Sequence, residues 1–128
     1  MITVVVGLDP SGNLVFAEAS GHAGTGKRGA DLVCAAATAI LRTTMEALAA
    51  GPYGASGDDS PGVSRNEGPA IEATTAGRGS LSFRVTAFSG KDEPFLRYAA
   101  CFLREGIASL EREYPEAVTL RIENIDRA

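Results

Sequence analysis

A candidate base and a candidate nucleophile stand in one glycine-rich segment of this sequence. His22 is the only histidine in the chain, and Cys34 follows it within the same segment. Histidine is the side chain whose unperturbed pKa lies nearest neutrality, so it can take up and return a proton. A cysteine in the first turn of a helix tends toward the thiolate, which attacks carbonyl carbons. The pair therefore predicts thiol chemistry, and no second histidine could replace His22.

Asp31 is a third candidate for the same site. It precedes Cys34 by about one helical turn, so both side chains are expected on one helix face. Its carboxylate could orient the imidazole of His22 or hold the imidazolium. Backbone amides at the helix start, that of Cys34 included, could bind an oxyanion. These parts predict a hydrolase in which Cys34 attacks, His22 acts as base and then as acid, and Asp31 supports.

Each of these residues also has a purely structural interpretation, and for His22 it is that of a surface residue at a strand end. A lone cysteine on an apolar helix face often serves as a small buried hydrophobe, and this applies to Cys34 and to Cys101 in the second helix. Asp31 could be a helix N-cap whose carboxylate accepts the amide of Cys34. On this interpretation the chain is a structural assembly factor with an inert Cys34.

The same segment matches most of the sequence motif of a phosphate-binding loop. Its residues Gly21-His22-Ala23-Gly24-Thr25-Gly26-Lys27 match the first seven positions of G-x-x-x-x-G-K-[ST]. Arg28 stands where the motif needs a hydroxyl, and a helix that starts at Asp31 begins too late to direct its first amides at a phosphate. The chain is also short for the parallel sheet of such proteins. A noncatalytic module that binds a phosphate or a peptide with this loop remains the alternative function.

Composition limits the class of protein. The 128 residues are 45% hydrophobic and 22% charged, which predicts one folded domain over 1–128. A net charge of −4 argues against direct nucleic-acid binding or an anionic membrane surface as partner. Two distant cysteines and one histidine do not form a zinc site, so we expect no metal and no cofactor.

The location in the cell is also an expectation from the sequence. The first residues are β-branched without a basic region before them, which favours a strand over a signal peptide. We find no uninterrupted apolar run of the length that a bilayer requires, and so expect no membrane partner. The sequence therefore predicts a cytoplasmic protein, in which both thiols stay reduced.

Hydrophobic periodicity and turn residues predict the order β-β-α-β-β-α-β. The predicted strands and helices cover 2–8, 14–19, 31–50, 71–75, 81–88, 93–114 and a closing strand from Val118, with a loop over 51–69 that could hold a short strand near Val63. This order predicts an α+β fold with a mixed, mostly antiparallel sheet and two helices packed on one face. The first helix should bury Leu32 beside its main apolar stripe, and the second should bury a stripe that includes Phe102.

The motif residues resemble a known family. Gly21-His22-Ala23, a glycine-rich spacer and then Gly29-Ala30-Asp31-Leu32-Val33-Cys34-Ala35-Ala36-Ala37-Thr38 are similar to the signature of the ribosomal-processing cysteine protease Prp. The resemblance implies that Cys34 is the nucleophile, His22 the base and Asp31 the acidic motif residue. It also implies that the substrate peptide contacts Gly21, Ala23, Gly24, Gly26 and Gly29.

The resemblance further implies a substrate and an assembly state. Members are homodimeric cytosolic endopeptidases that remove an N-terminal extension from large-subunit ribosomal protein number twenty-seven during ribosome assembly. Their glycine-rich loop, here Gly24 to Gly29, covers the site and orders when a peptide binds. Because ordering a loop costs about 1 kcal/mol or more per residue, only a peptide with many contacts would offset that cost.

Overall fold

The computed structural model describes residues 1–21, 28–51, 68–74 and 80–126, with the backbone alone for 28–31. The chain order is β-β-α-β-β-α-β, as the sequence predicts. The elements are β1 (Ile2–Leu8), β2 (Leu14–Ser20), α1 (Arg28–Ala50), β3 (Ala70–Thr74), β4 (Ser80–Ala87), α2 (Glu93–Glu113) and β5 (Val118–Asn124). A single 3-10 turn, Gly90–Asp92, leads into α2. The strand suggested near Val63 lies outside the described residues.

The five strands form one mixed sheet in the order β3-β4-β2-β1-β5. Three neighbouring pairs are antiparallel, and only β1 and β5 run parallel. Helix α1 contacts β2, β4 and β3, whereas α2 contacts β5, β1 and β2, so the two helices cover one face side by side. They meet where Gly106 of α2 stands opposite Ile40 of α1. The predicted α+β architecture is confirmed.

The core lies between this sheet face and the two helices. Alternate strand residues face it, because successive side chains of a strand point to opposite sides. The fully buried side chains include Val4, Val6, Leu14, Leu41, Leu48, Phe83, Leu96, Leu103 and Ile107.

Three sequence predictions about burial are wrong. Leu32 is 68% exposed and Phe102 is 52% exposed, and Cys101 is exposed as well. The buried stripe of α2 runs instead through Leu96, Ala100, Leu103 and Ile107. The helix has apolar residues on more than one face, so periodicity alone does not determine which face meets the sheet.

A buried polar contact ties the β1–β2 turn to the start of α2. Asp9 Oδ1 accepts the backbone N–H groups of Ser11 and Asn13, each at 2.9 Å. The side-chain amide of Asn13 donates to Asp9 Oδ2 and to Glu93 Oε1, each at 3.1 Å. Asn13 is only 1% exposed, so these bonds replace the water that its side-chain NH2 group loses on folding, whereas its Oδ1 is buried with no hydrogen-bond partner among the described residues.

One described helix segment, Leu32–Ala50, has the length and apolar composition of a bilayer-spanning helix. Arg42 and Glu46 interrupt this segment, so it does not contradict the expectation that the sequence has no uninterrupted apolar run of that length. Core helices of soluble proteins meet the same criterion. In this fold Val33, Ala37, Leu41 and Leu48 of the segment are buried in the core.

Candidate active site

Cys34 is the one predicted catalytic residue whose side chain the structure describes. It lies in the second turn of α1, which begins at Arg28. The side chain is half-buried, packs against the core cluster and carries a free thiol. A half-buried thiol at the edge of a core is held in place by its neighbours and still open to a ligand from one side.

The start of α1 differs from the sequence prediction by one helical turn. Because the helix begins at Arg28 and not at Asp31, Asp31 lies inside it and is not the N-cap. In an α-helix each amide pairs with the carbonyl four residues earlier, so the Cys34 amide is used by the carbonyl of Ala30. The expectation that this amide binds an oxyanion is therefore wrong. The helix amides without an intrahelical partner belong to its first turn.

The remaining predicted site residues are described in part or not at all. His22, Ala23, Gly24 and Gly26 lie outside the described residues. Gly29 is described only as part of the α1 backbone, and the side chain of Asp31 is likewise outside. Their roles in catalysis and in peptide binding stay predictions.

Gly21 is described and has an unusual conformation. It follows the last residue of β2, is exposed, and has a φ of +99°. A Cβ atom at this position would overlap the carbonyl oxygen of Met1. The sequence indicated Gly21 only as one glycine among several, because the approach of Met1 depends on the pairing of β1 with β2.

One reason for rejecting a phosphate loop does not hold. The sequence predicted that the helix starts too late after Lys27, but α1 begins at Arg28, the next residue. Two other objections stand. Arg28 lacks the hydroxyl that binds Mg²⁺ in the motif, and both neighbours of β2 are antiparallel to it, whereas such loops follow a strand of a parallel sheet.

Among the described residues, a shallow depression lies on the sheet face opposite the one that α1 and α2 cover. It is lined by Phe16, Glu18, Glu72, Thr74, Ser82, Phe83 and Arg84. The guanidinium carbon of Arg84 stands 5.6 Å from the centre of the Phe16 ring, a cation–π distance. Because Cys34 belongs to α1, the depression and Cys34 lie on opposite sides of the sheet. Within the part of the chain that the structure describes, no group of three or more His, Cys, Asp or Glu residues could hold a metal ion.

Solved structures share this fold. One is SMU.848 from Streptococcus mutans, with a TM-score of 0.69 and 23% identity over 98% of this chain and 96% of that one. Another is the essential ribosomal processing protease Prp from S. aureus in complex with a substrate peptide, with a TM-score of 0.68 and 21% identity. The alignment with that structure covers 96% of this chain and 100% of the other.

The S. aureus protease is also known with a covalently linked product peptide; that structure has a TM-score of 0.65 and 25% identity, with 96% of this chain and 100% of that one covered. Comparison with curated protein sequences finds no match. The family model of the cysteine protease Prp matches residues 1–119, which is nearly the whole chain. This chain therefore belongs to the cysteine protease Prp family.

Proposed function

We propose that this protein is a cysteine endopeptidase that removes the N-terminal extension of large-subunit ribosomal protein number twenty-seven during ribosome assembly. The observation that carries the proposal is the family match over residues 1–119 together with a half-buried free thiol, Cys34, early in α1. The relative from S. aureus was solved with a substrate peptide and with a covalently linked product peptide. A covalent enzyme–peptide species is what nucleophilic catalysis passes through.

The proposed reaction has two halves. In the first, His22 takes the proton of the Cys34 thiol and the thiolate attacks the carbonyl carbon of the scissile peptide bond. The tetrahedral intermediate then expels the amine, which receives the proton from His22, and a thioester to Cys34 remains. In the second half, water gives a proton to His22 and attacks the thioester, which releases the acid and restores the thiol.

Because Cys34 lies beyond the first turn of α1, we assign the activation of its thiol to His22 more than to the helix N-terminus. The field of a helix N-terminus falls off within the first turn, and Cys34 lies in the second turn of α1. Thiolate formation therefore depends on His22 as proton acceptor, with Asp31 as the group that supports the imidazolium. First-turn amides of α1, not the Cys34 amide, are the helix donors left for the oxyanion.

The substrate contacts follow from the same proposal. Gly21, Ala23, Gly24, Gly26 and Gly29 would line the path of the peptide, where the absence of large side chains allows its backbone to come close. We further propose a cytoplasmic homodimer. Sedimentation equilibrium of the purified chain measures the assembly state directly, and a monomer at micromolar concentration would contradict it.

The decisive experiment is cleavage of the ribosomal protein precursor, followed by mass spectrometry of both fragments. Cys34→Ala should abolish cleavage, while the matched control Cys101→Ser, at an exposed cysteine, should cleave as the parent does. Equal cleavage rates for Cys34→Ala and the parent would contradict the proposal.

The second candidate is a noncatalytic module that binds a phosphate or a peptide with the glycine-rich loop. It is favoured by the position of Arg28, the first residue of α1, directly after Lys27. It predicts that the chain binds nucleotide, that Lys27→Ala abolishes this binding, and that Cys34→Ser preserves it. Calorimetric titration with ATP and Mg²⁺ that gives no heat would remove this candidate.

A further inference from the structure

The end of β2 carries a position that only glycine fits. The β1–β2 pairing aligns Thr3 with Ser20, so the chain before Thr3 lies beside Gly21. At Gly21 two restrictions coincide: φ is +99°, and a Cβ would overlap the Met1 carbonyl oxygen. An L residue would have to change φ or push β1 away, because both the torsion and the neighbouring backbone exclude its side chain.

The same hairpin contains a second glycine that allows a direct comparison. Gly12, in the turn at the other end of β1 and β2, also has a positive φ, +83°. A Cβ there would have ordinary space, since its nearest neighbour is the Arg97 side chain at 3.9 Å. The torsional requirement is thus common to both positions, whereas the close approach of a backbone oxygen is specific to Gly21.

We propose that Gly21 is a positioning residue for His22: its left-handed conformation, held against the Met1 carbonyl, sets the direction in which the chain leaves β2 at the proposed base. This inference rests on the proposed function, because it concerns the base of that reaction. His22 is bonded directly to Gly21, so the torsions of residue 21 rotate the His22 backbone relative to the sheet. A catalytic group displaced by about 1 Å can lose roughly 100-fold in rate.

The role differs from the peptide contact that the sequence predicts for Gly21. A glycine that only admits the substrate backbone affects KM, because its loss weakens binding. A glycine that positions the base affects kcat and the reactivity of the Cys34 thiol in the absence of any peptide. These two readouts separate the two roles.

The test compares three full-length variants: Gly21→Ala, Gly21→D-Ala and the control Gly12→Ala. The D-Ala variant is made by joining a synthetic thioester of residues 1–33 to a fragment of residues 34–128, whose first residue is Cys34. D-Alanine favours a positive φ and carries its methyl group in place of the other α-hydrogen, not in the position that overlaps the Met1 oxygen.

We expect Gly21→Ala to lower kcat by about 10- to 100-fold with little change in KM. Gly21→D-Ala should have a kcat at least about fivefold above that of Gly21→Ala, since D-alanine favours the required torsion. Gly12→Ala should leave kcat unchanged at temperatures where it is folded. A kcat of Gly21→D-Ala no higher than that of Gly21→Ala would overturn the inference. If Gly21→Ala does not fold, a Cys34 alkylation rate in Gly21→D-Ala about tenfold below that of the parent, measured without peptide, would overturn it.

A double-mutant cycle separates this inference from the proposed function. The rate of Cys34 alkylation by iodoacetamide is measured in Gly21→Ala, His22→Ala and the double variant. If Gly21 acts through His22, Gly21→Ala slows alkylation in the parent and has no effect once His22 is absent. An equal effect in both backgrounds contradicts the positioning role, whereas failure of the proposed function is seen in Cys34→Ala alone.

Discussion

The aromatic ring of Phe16 occupies the space above Gly7 in which a Cβ atom would stand. The two residues face each other across the β1–β2 pair, on the side of the sheet opposite α1 and α2. On the next strand Arg84 pairs with Phe16, and its guanidinium lies over the same ring. The Phe16 ring thus fills the space that Gly7, which has no side chain, would otherwise leave open in the middle of the sheet.

Gly7→Ala is expected to destabilise the protein through this contact. The new methyl group would overlap the Phe16 ring, and such overpacking costs about 1–3 kcal/mol. Urea unfolding followed by circular dichroism measures the change. In a Phe16→Ala background the ring is gone, so Gly7→Ala should cost less than half as much there. Equal costs in the two backgrounds would show that the ring is not the cause.

Reactivity of the two thiols distinguishes activation from simple access. Cys101 is exposed and Cys34 only half-buried, so access alone favours alkylation of Cys101. If Cys34 is the activated nucleophile, it should nevertheless react faster at neutral pH, since the thiolate is the attacking form. Peptide mapping after a short pulse of iodoacetamide gives the ratio. Faster labelling of Cys101 in the parent would count against an activated Cys34.

Loss of the proposed base should reduce turnover strongly. His22→Ala is expected to lower kcat by roughly 100-fold or more, the usual contribution of a general base. Single-turnover kinetics with the precursor protein measure this step. The melting temperature of the variant serves as the control, and a loss of activity without a loss of fold supports the role. Full activity in His22→Ala would assign the base to another group.

The buried amide of Asn13 should matter for stability and not for chemistry. Asn13→Ala leaves the carboxylates of Asp9 and Glu93 without their shared donor, which we expect to cost about 1–3 kcal/mol. Chemical denaturation measures this cost, and the exposed Asn124→Ala is the matched control, with an expected change below about 0.5 kcal/mol. A kcat of Asn13→Ala equal to the parent's separates this contact from the active site.

The sequence predicted the order of elements and the family, since both depend on local features. Alternation in β1, turn residues after Leu8 and the glycine-free stretch of α1 are short-range patterns that need no tertiary context. The motif from Gly21 to Thr38 is likewise local, and the family match over residues 1–119 agrees with it. These features follow from backbone and side-chain preferences along the chain.

Burial and the start of α1 needed the assembled fold. Phe102 and Leu32 are apolar at helical spacing, yet both are exposed, because the packing of the two helices on the sheet decides which side of each helix is covered. The helix begins one turn before Asp31, although Gly29 lies in that turn, so a weak intrinsic preference does not determine the boundary.

His22 and Cys34 could be proposed as base and nucleophile from residue type and spacing, because these two roles depend on side-chain chemistry. The role of the backbone amides around Cys34 could not be predicted from the sequence, since it depends on where the helical hydrogen bonds begin. The close approach of Met1 to Gly21 could not be predicted from the sequence either, because it arises when β1 pairs with β2 and brings together residues far apart in the chain. The sequence by itself thus determined which groups could react, and the tertiary structure decided which backbone atoms stand beside them, because strand pairing and helix packing join residues that no local pattern connects.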